Sequence, residues 1–210
     1  AGEGAHVVAA ARRLDRLKAL ARDCAALPGK VVPLALDVGS VSAIEAGLAE
    51  ASAALGGLDV LINNAGVAEP ERAMDLSEAQ WDAHLDINLK GCFFAAQSAA
   101  RIMSKQETGG AIVNIASILG ERVAISVAPY SAAKAGLIQL TKSLALEWAR
   151  YKVRVNALAP GYVITDLNRD FFDTEQGRAL LSRVPMRRAA DLADLDGPLL
   201  LLCSDASRFM

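Results

Sequence analysis

Short apolar runs recur along the chain at Val7 to Ala11, Val31 to Leu36, Leu58 to Ile62, Ala111 to Ala116 and from Val153 onward, and each reads as a strand. Helical signals fill the stretches between them. Leu14 to Leu20 places apolar residues at helical spacing before Pro28-Gly29, and Ser40 stands where it can cap an alanine-rich helix from Ile44 to Leu55 that stops at Gly56-Gly57. A longer helical region runs from about Ser77 to Lys105, and another from Tyr130 to Tyr151. Apolar strands alternating with helices specify a parallel sheet covered on both faces, because each parallel crossover needs a helix. The expected class is therefore α/β, a single doubly wound sheet. Such sheets bind ligands beyond the carboxyl ends of their strands. Asp37, Asn63 to Gly66, Ser117 and Pro160-Gly161 all fall there.

Composition narrows the partners. At 210 residues and 22.0 kDa, with 53% hydrophobic content, the chain can bury one substantial core, so residues 1–210 read as one domain. No apolar stretch approaches the roughly 20 residues of a spanning helix, so no membrane is expected. With 22 basic and 24 acidic side chains the net charge is −2, which gives no electrostatic reason to bind nucleic acid. Small molecules are the expected partners. Cys24, Cys92 and Cys203 are scattered without a C-x-x-C pair, which indicates neither a disulfide framework nor a zinc site and suits a reducing cytoplasm. His6 and His84 are the only histidines, and His84 reads as a packed or surface residue of its helix with no assigned role.

Past Pro160 the pattern loosens. Asp166 to Arg188 is polar, carries Phe171-Phe172 and ends in Pro185-Met186-Arg187-Arg188, the composition of a mobile lid. Leu199 to Leu202 is expected in a final packed helix, with Gly197-Pro198 at or near its start.

The chemistry concentrates in Tyr130-Ser131-Ala132-Ala133-Lys134, just after Pro129. If a helix begins beside that proline, Tyr130 and Lys134 share one face. A phenol ionises near pH 10 in water, and a fixed cation beside it favours the anion, which makes it a better proton donor at neutral pH. The spacing alone also fits a packed tyrosine beside a solvated lysine. Its company is what gives it weight: Ser117 behind an apolar strand, Asn63-Asn64-Ala65-Gly66 behind another, Asn88-Leu89-Lys90-Gly91, and Pro160-Gly161-Tyr162-Val163-Ile164-Thr165 behind a third.

Together these motifs resemble the classical short-chain dehydrogenase/reductase family, from about Gly4 to Met210. The resemblance implies a Rossmann-like sheet whose first strand, T-G-x-x-x-G-x-G phosphate loop and most of whose first helix precede Ala1, and whose last strand follows Met210. A chain truly starting at Ala1 would then bind coenzyme poorly, since that loop carries the pyrophosphate. It implies Tyr130 as proton donor, Ser117 as hydrogen-bond donor to the reacting oxygen, Lys134 on the nicotinamide ribose, and Asn88 at a helix interruption holding a water that links Lys134 to solvent. Taken singly, Ser117 fits a strand-end cap, Asn63 to Gly66 a turn, and Asn88 a buried amide that satisfies backbone groups.

Further contacts follow from the same likeness. Asn64, Ala65, Gly66, Tyr130, Lys134, Pro160 and Gly161 fall at cofactor-binding positions, Asp37 and Val38 match the adenine-contacting pair, and Val163 and Thr165 match positions that hold the carboxamide. In nicotinamide-binding folds, an acid at the end of the second strand accepts the ribose 2′-hydroxyl, whereas an arginine accommodates a 2′-phosphate. Here that place reads Ala10-Ala11-Arg12-Arg13, so Arg12 favours NADP(H) over NAD(H). The expected activity is hydride transfer between NADP(H) and a ketone or secondary alcohol. Ser131 to Leu137 and Thr141 to Ala145 look most like the 3-oxoacyl-acyl-carrier-protein reductase branch, with sugar-acid, polyol or hydroxysteroid dehydrogenases as alternatives. A non-catalytic nucleotide-binding or scaffolding module is the reading of another class. Small residues Ala95, Ala96, Ala99, Ala132 and Ala133 are expected to pack between subunits of a homo-oligomer, a tetramer or dimer.

Overall fold

The computed structural model describes residues 1–165 and 168–210. Strands form at the apolar runs: β1 (Val7–Ala11), β2 (Val31–Ala35), β3 (Val60–Asn63), β4 (Gly110–Ile115) and β5 (Val153–Leu158). Every pairing is parallel, and the fold is Rossmann-like α/β. Hydrogen bonds join the strands in two sections, β1-β2 and β3-β4-β5, rather than across one continuous sheet. Helices span the division. α2 (Val41–Leu55) rests on β1 and β2 and also on α4 (Gly91–Met103), which covers β3 and β4. Ile44 and Leu48 of α2 share one core with Ala96, Ala99 and Met103 of α4, Ile112 of β4 and Val153 of β5.

Local chemistry explains most element ends. α1 (Leu14–Asp23) lies on β2, and α2 begins where Ser40 Oγ accepts the Ala43 N–H at 3.3 Å and ends at Gly56 with φ of 76°, the left-handed region that suits glycine. α3 (Glu78–Leu85) opens with a capping box between Ser77 and Gln80. The helical region expected from about Ser77 to Lys105 is interrupted where the resemblance implied, at Asn88: a π-helical turn at Asp86–Lys90 separates α3 from α4. α5 (Ala128–Trp148) starts two residues before Tyr130 and takes Pro129 into its first turn, where the missing N–H costs no helical bond.

One expectation changes in the structure, that of an intersubunit alanine face. Ala95, Ala96, Ala99 and Ala133 are buried inside the chain's own core, so only Ala132 of that set faces outward. Their small size serves close approach of α4 and α5 to the sheet and to α2. Within the region expected to be a lid, α6 (Arg169–Phe172) and α7 (Glu175–Leu181) form, and Phe172 is buried with its ring edge-on to Tyr162 at 6.1 Å. Asp166, the start of that region, lies outside the described residues. α8 (Asp196–Cys203) contains Leu199 to Leu202 but buries none of its residues, because it touches β4 and β5 along one side only.

Candidate active site

Because all strands run parallel, the residues that follow them share a rim: Arg12 after β1, Asp37 after β2, Asn64 to Gly66 after β3, Ser117 after β4 and Pro160 after β5. Lys134 is the anchor of this rim. Its side chain is 4% exposed, and Nζ donates to the Ile115 carbonyl at 2.7 Å. The ammonium lies 5.6 Å from the centroid of the Tyr130 ring, so the i, i+4 pair meets on one helix face as expected.

Burial pushes the Lys134 pKa below its ordinary value, and Cys92 acts in the opposite sense. Burial also pushes the Cys92 thiol up, so at neutral pH it is a neutral neighbour and not an anionic partner. The ammonium is therefore held by a carbonyl dipole, with its remaining protons free for other acceptors.

The Ser117 end of β4 is drawn to the same place. Ser117 Oγ accepts the Leu119 N–H at 3.1 Å, which uses an oxygen lone pair and leaves the O–H free to donate. The turn Ile118–Gly120 then lies directly on α5: a Cβ at Gly120 would fall 2.9 Å from the Lys134 carbonyl carbon and oxygen. Ile118 N–H donates to the Pro160 carbonyl at 2.9 Å, tying the Ser117 turn to the Pro160-Gly161 loop.

Gly66 closes the other side. A Cβ there would fall 2.7 Å from Asn88 Oδ1 and 3.8 Å from Lys134 Nζ, so only a glycine lets this loop reach both. Both N–H groups of the Asn88 carboxamide are committed, Nδ2 donating to the Val67 carbonyl at 2.9 Å and the His84 carbonyl at 3.0 Å, while Oδ1 accepts the Val67 N–H at 3.1 Å. Its side chain thus positions the loop behind Gly66, the buried-amide role that the sequence also allowed.

The outlying candidates sit where the chain order put them. Arg12 is exposed and makes no ion pair among the described residues. Asp37 is exposed, with Oδ1 accepting the Gly39 N–H at 2.9 Å, and Val38 presses its carbonyl on α4, where a Cβ at Gly91 would come within 2.4 Å. Val163 forms a bridge with Ala190, and Thr165 is half-buried.

Sequence reasoning missed Asn114, Thr141 and Asn168, which with Asn63 hold these in place. Asn168 donates to the Val163 carbonyl at 2.9 Å and accepts the Thr165 N–H at 2.8 Å; a Thr-x-x-Asn spacing after a Pro-Gly turn is the signal for such a side-chain-closed loop. Asn63 donates to the Cys92 carbonyl at 3.0 Å and to Asn114 Oδ1 at 2.9 Å, and Asn114 donates to Thr141 Oγ1 at 2.9 Å. That buried chain pins the rim to α4 and α5. Among the described residues, no group of His, Cys, Asp and Glu is placed to hold a metal ion.

Parallel α/β folds of this kind bind nucleotides beyond the carboxyl ends of their strands, where Ser117, Gly66 and the buried Lys134 lie. A family model described as short chain dehydrogenase matches residues 1–176, and the chain belongs to the short-chain dehydrogenase family. It is 36% identical over 208 residues to 2-dehydro-3-deoxy-D-gluconate 5-dehydrogenase of Escherichia coli (strain K12), covering 99% of this chain and 79% of that protein. It is 35% identical over 210 residues to the 3-oxoacyl-acyl-carrier-protein reductase FabG of Thermotoga maritima, covering 100% of this chain and 85% of that protein. A crystal structure of a gluconate 5-dehydrogenase from Burkholderia cenocepacia J2315, in complex with NADP and tartrate, superposes with a TM-score of 0.93 at 34% identity, covering 100% of this chain and 82% of that one.

Proposed function

We propose that this oxidoreductase uses NADP(H) to interconvert a ketone and a secondary alcohol through Tyr130, Ser117, Lys134 and Asn88. The observation that carries this reading is Lys134: a buried ammonium, fixed by the Ile115 carbonyl, stands beside the Tyr130 ring and under the Gly66 loop. A bound nicotinamide supplies or accepts the hydride. The Tyr130 hydroxyl gives a proton to the carbonyl oxygen as charge develops there, and the free Ser117 O–H hydrogen-bonds the same oxygen. Lys134 keeps a positive charge close to the phenol and has protons left for ribose hydroxyls. The π-helical turn that carries Asn88 is the place for a water that links Lys134 to solvent.

The residues fit a dinucleotide. In this reading Asn64, Ala65 and Gly66, all exposed, contact the dinucleotide together with Tyr130 and Lys134, Asp37 and Val38 its adenine end, and Pro160, Gly161, Val163 and Thr165 its nicotinamide end. Arg12 is the group for a 2′-phosphate. Arg12→Ala is expected to raise the KM for NADPH about tenfold, the size of one charge-assisted contact, and to leave that for NADH within about twofold. Steady-state kinetics with both coenzymes checks this, and an unchanged NADPH/NADH ratio removes the NADP(H) preference.

The substrate is a 3-oxoacyl thioester or, on the likeness to the gluconate-type relatives, a keto sugar acid. Coenzyme oxidation by the natural full-length protein against acetoacetyl thioesters, keto sugar acids and simple diketones separates the two. No turnover of any carbonyl, with coenzyme still bound, would favour a non-catalytic module. The free cysteines fit a reducing cytoplasm, and among the described residues no helix is long and apolar enough to cross a membrane. For assembly the reading is a homo-oligomer, a tetramer or dimer, which light scattering of the protein at micromolar concentration reads directly.

A further inference from the structure

His84 is 2% exposed, and both nitrogens of its ring are engaged. Nδ1 lies 2.7 Å from the Gln80 carbonyl, which can only accept, so Nδ1 carries the proton. Nε2 accepts the Glu69 N–H at 3.2 Å. Only one neutral tautomer satisfies both bonds.

The same residue feeds the site from a second direction. Its carbonyl receives Asn88 Nδ2 at 3.0 Å, and Asn88 takes both backbone groups of Val67. Val67 to Glu69 lies in neither strand nor helix, so these side chains set its course. Gly66 comes next to it in sequence, where a Cβ would fall 2.7 Å from Asn88 Oδ1 and 3.8 Å from Lys134 Nζ. A hydrocarbon at position 84 would fill the same buried space yet release the Glu69 amide.

We propose that His84 is a positioning residue for the coenzyme loop: its Nε2 lone pair holds the Glu69 amide and, together with Asn88, fixes the Ala65-Gly66 backbone beside Lys134. The proposal rests on the reading of that loop as a coenzyme contact. Losing the anchor lets the loop drift, which weakens coenzyme binding more than it slows the chemical step.

Imidazole nitrogen NMR on the wild-type protein at neutral pH is expected to show an unprotonated Nε2 and a protonated Nδ1; the opposite tautomer or an imidazolium would overturn the proposal. His84→Phe keeps a ring and loses the acceptor. It is expected to speed hydrogen exchange at the Glu69 amide and raise the coenzyme KM about tenfold, with kcat within about twofold. His84→Gln, whose amide oxygen can accept, is expected to bring that KM back to within about threefold of wild type. An unchanged coenzyme KM in H84F, or equal impairment of H84F and H84Q, would assign the residue to packing alone. Should H84F not fold, His84→Leu against His84→Gln makes the same comparison. Should the coenzyme reading itself fail, wild-type protein binds no coenzyme, while tautomer and amide exchange still report on the anchor.

Discussion

Replacing Tyr130 by Phe is expected to lower kcat for carbonyl reduction about a thousandfold, within the range typical of losing a positioned general acid. The ring remains, so the contact with the Lys134 ammonium remains. Among the described residues the Tyr130 hydroxyl makes no hydrogen bond, so the variant loses no structural partner and its melting temperature is expected to stay within about 2 °C of wild type. Coenzyme KM is expected to change little, because Tyr130→Phe leaves Lys134 and the loop groups assigned to the dinucleotide in place. Single-turnover hydride transfer, read by coenzyme absorbance, makes the comparison. A variant that keeps more than about a tenth of wild-type kcat would remove Tyr130 as proton donor.

Lys134→Met is expected to cost about as much, roughly a thousandfold in kcat/KM, since it removes the charge beside the phenol and a coenzyme contact together. Its stability signature is separate. In the folded chain the lysine pKa lies below its ordinary 10.5, chiefly through burial. Between the folded value and 10.5 the unfolded chain binds more protons than the folded one, so this group makes stability rise with pH across that window. Below the window the full cost of burying the ammonium is present. The variant lacks that cost, so its melting temperature relative to wild type is expected to be highest near neutrality and to decline as pH approaches 10. The Cys92 thiol, raised from 9.0 by burial, pulls both proteins the other way above pH 9, and the variant more so because it lacks the Lys134 charge that lowers the thiol. A difference that does not vary with pH would mean that the ammonium is not held dehydrated as described.

Strand and helix order was readable because each apolar run is short, each helix carries its period, and Ser40, Gly56 and Ser77 mark element ends chemically. Tyr130 and Lys134 were readable as a pair because four residues of helix put them on one face. Ser117, Gly66 and Pro160 were readable as members of one rim because parallel strands end on the same side. The alanines of α4 were misplaced for a physical reason: small side chains serve close packing equally well inside a chain and between chains, and only their neighbours tell which.

What the amino-acid order determined was periodicity, turn chemistry and the local spacing of reactive groups, all of which act over a few residues. Tertiary structure alone decided the partners brought together from afar: the Ile115 carbonyl under Lys134, the Val67 backbone under Asn88, the Glu69 amide on His84, and the Asn63-Asn114-Thr141 chain. Each of these is a buried polar group 15 to 51 residues from its partner. A buried donor or acceptor must be satisfied by something, yet which group satisfies it is set by packing and not by any pattern along the chain.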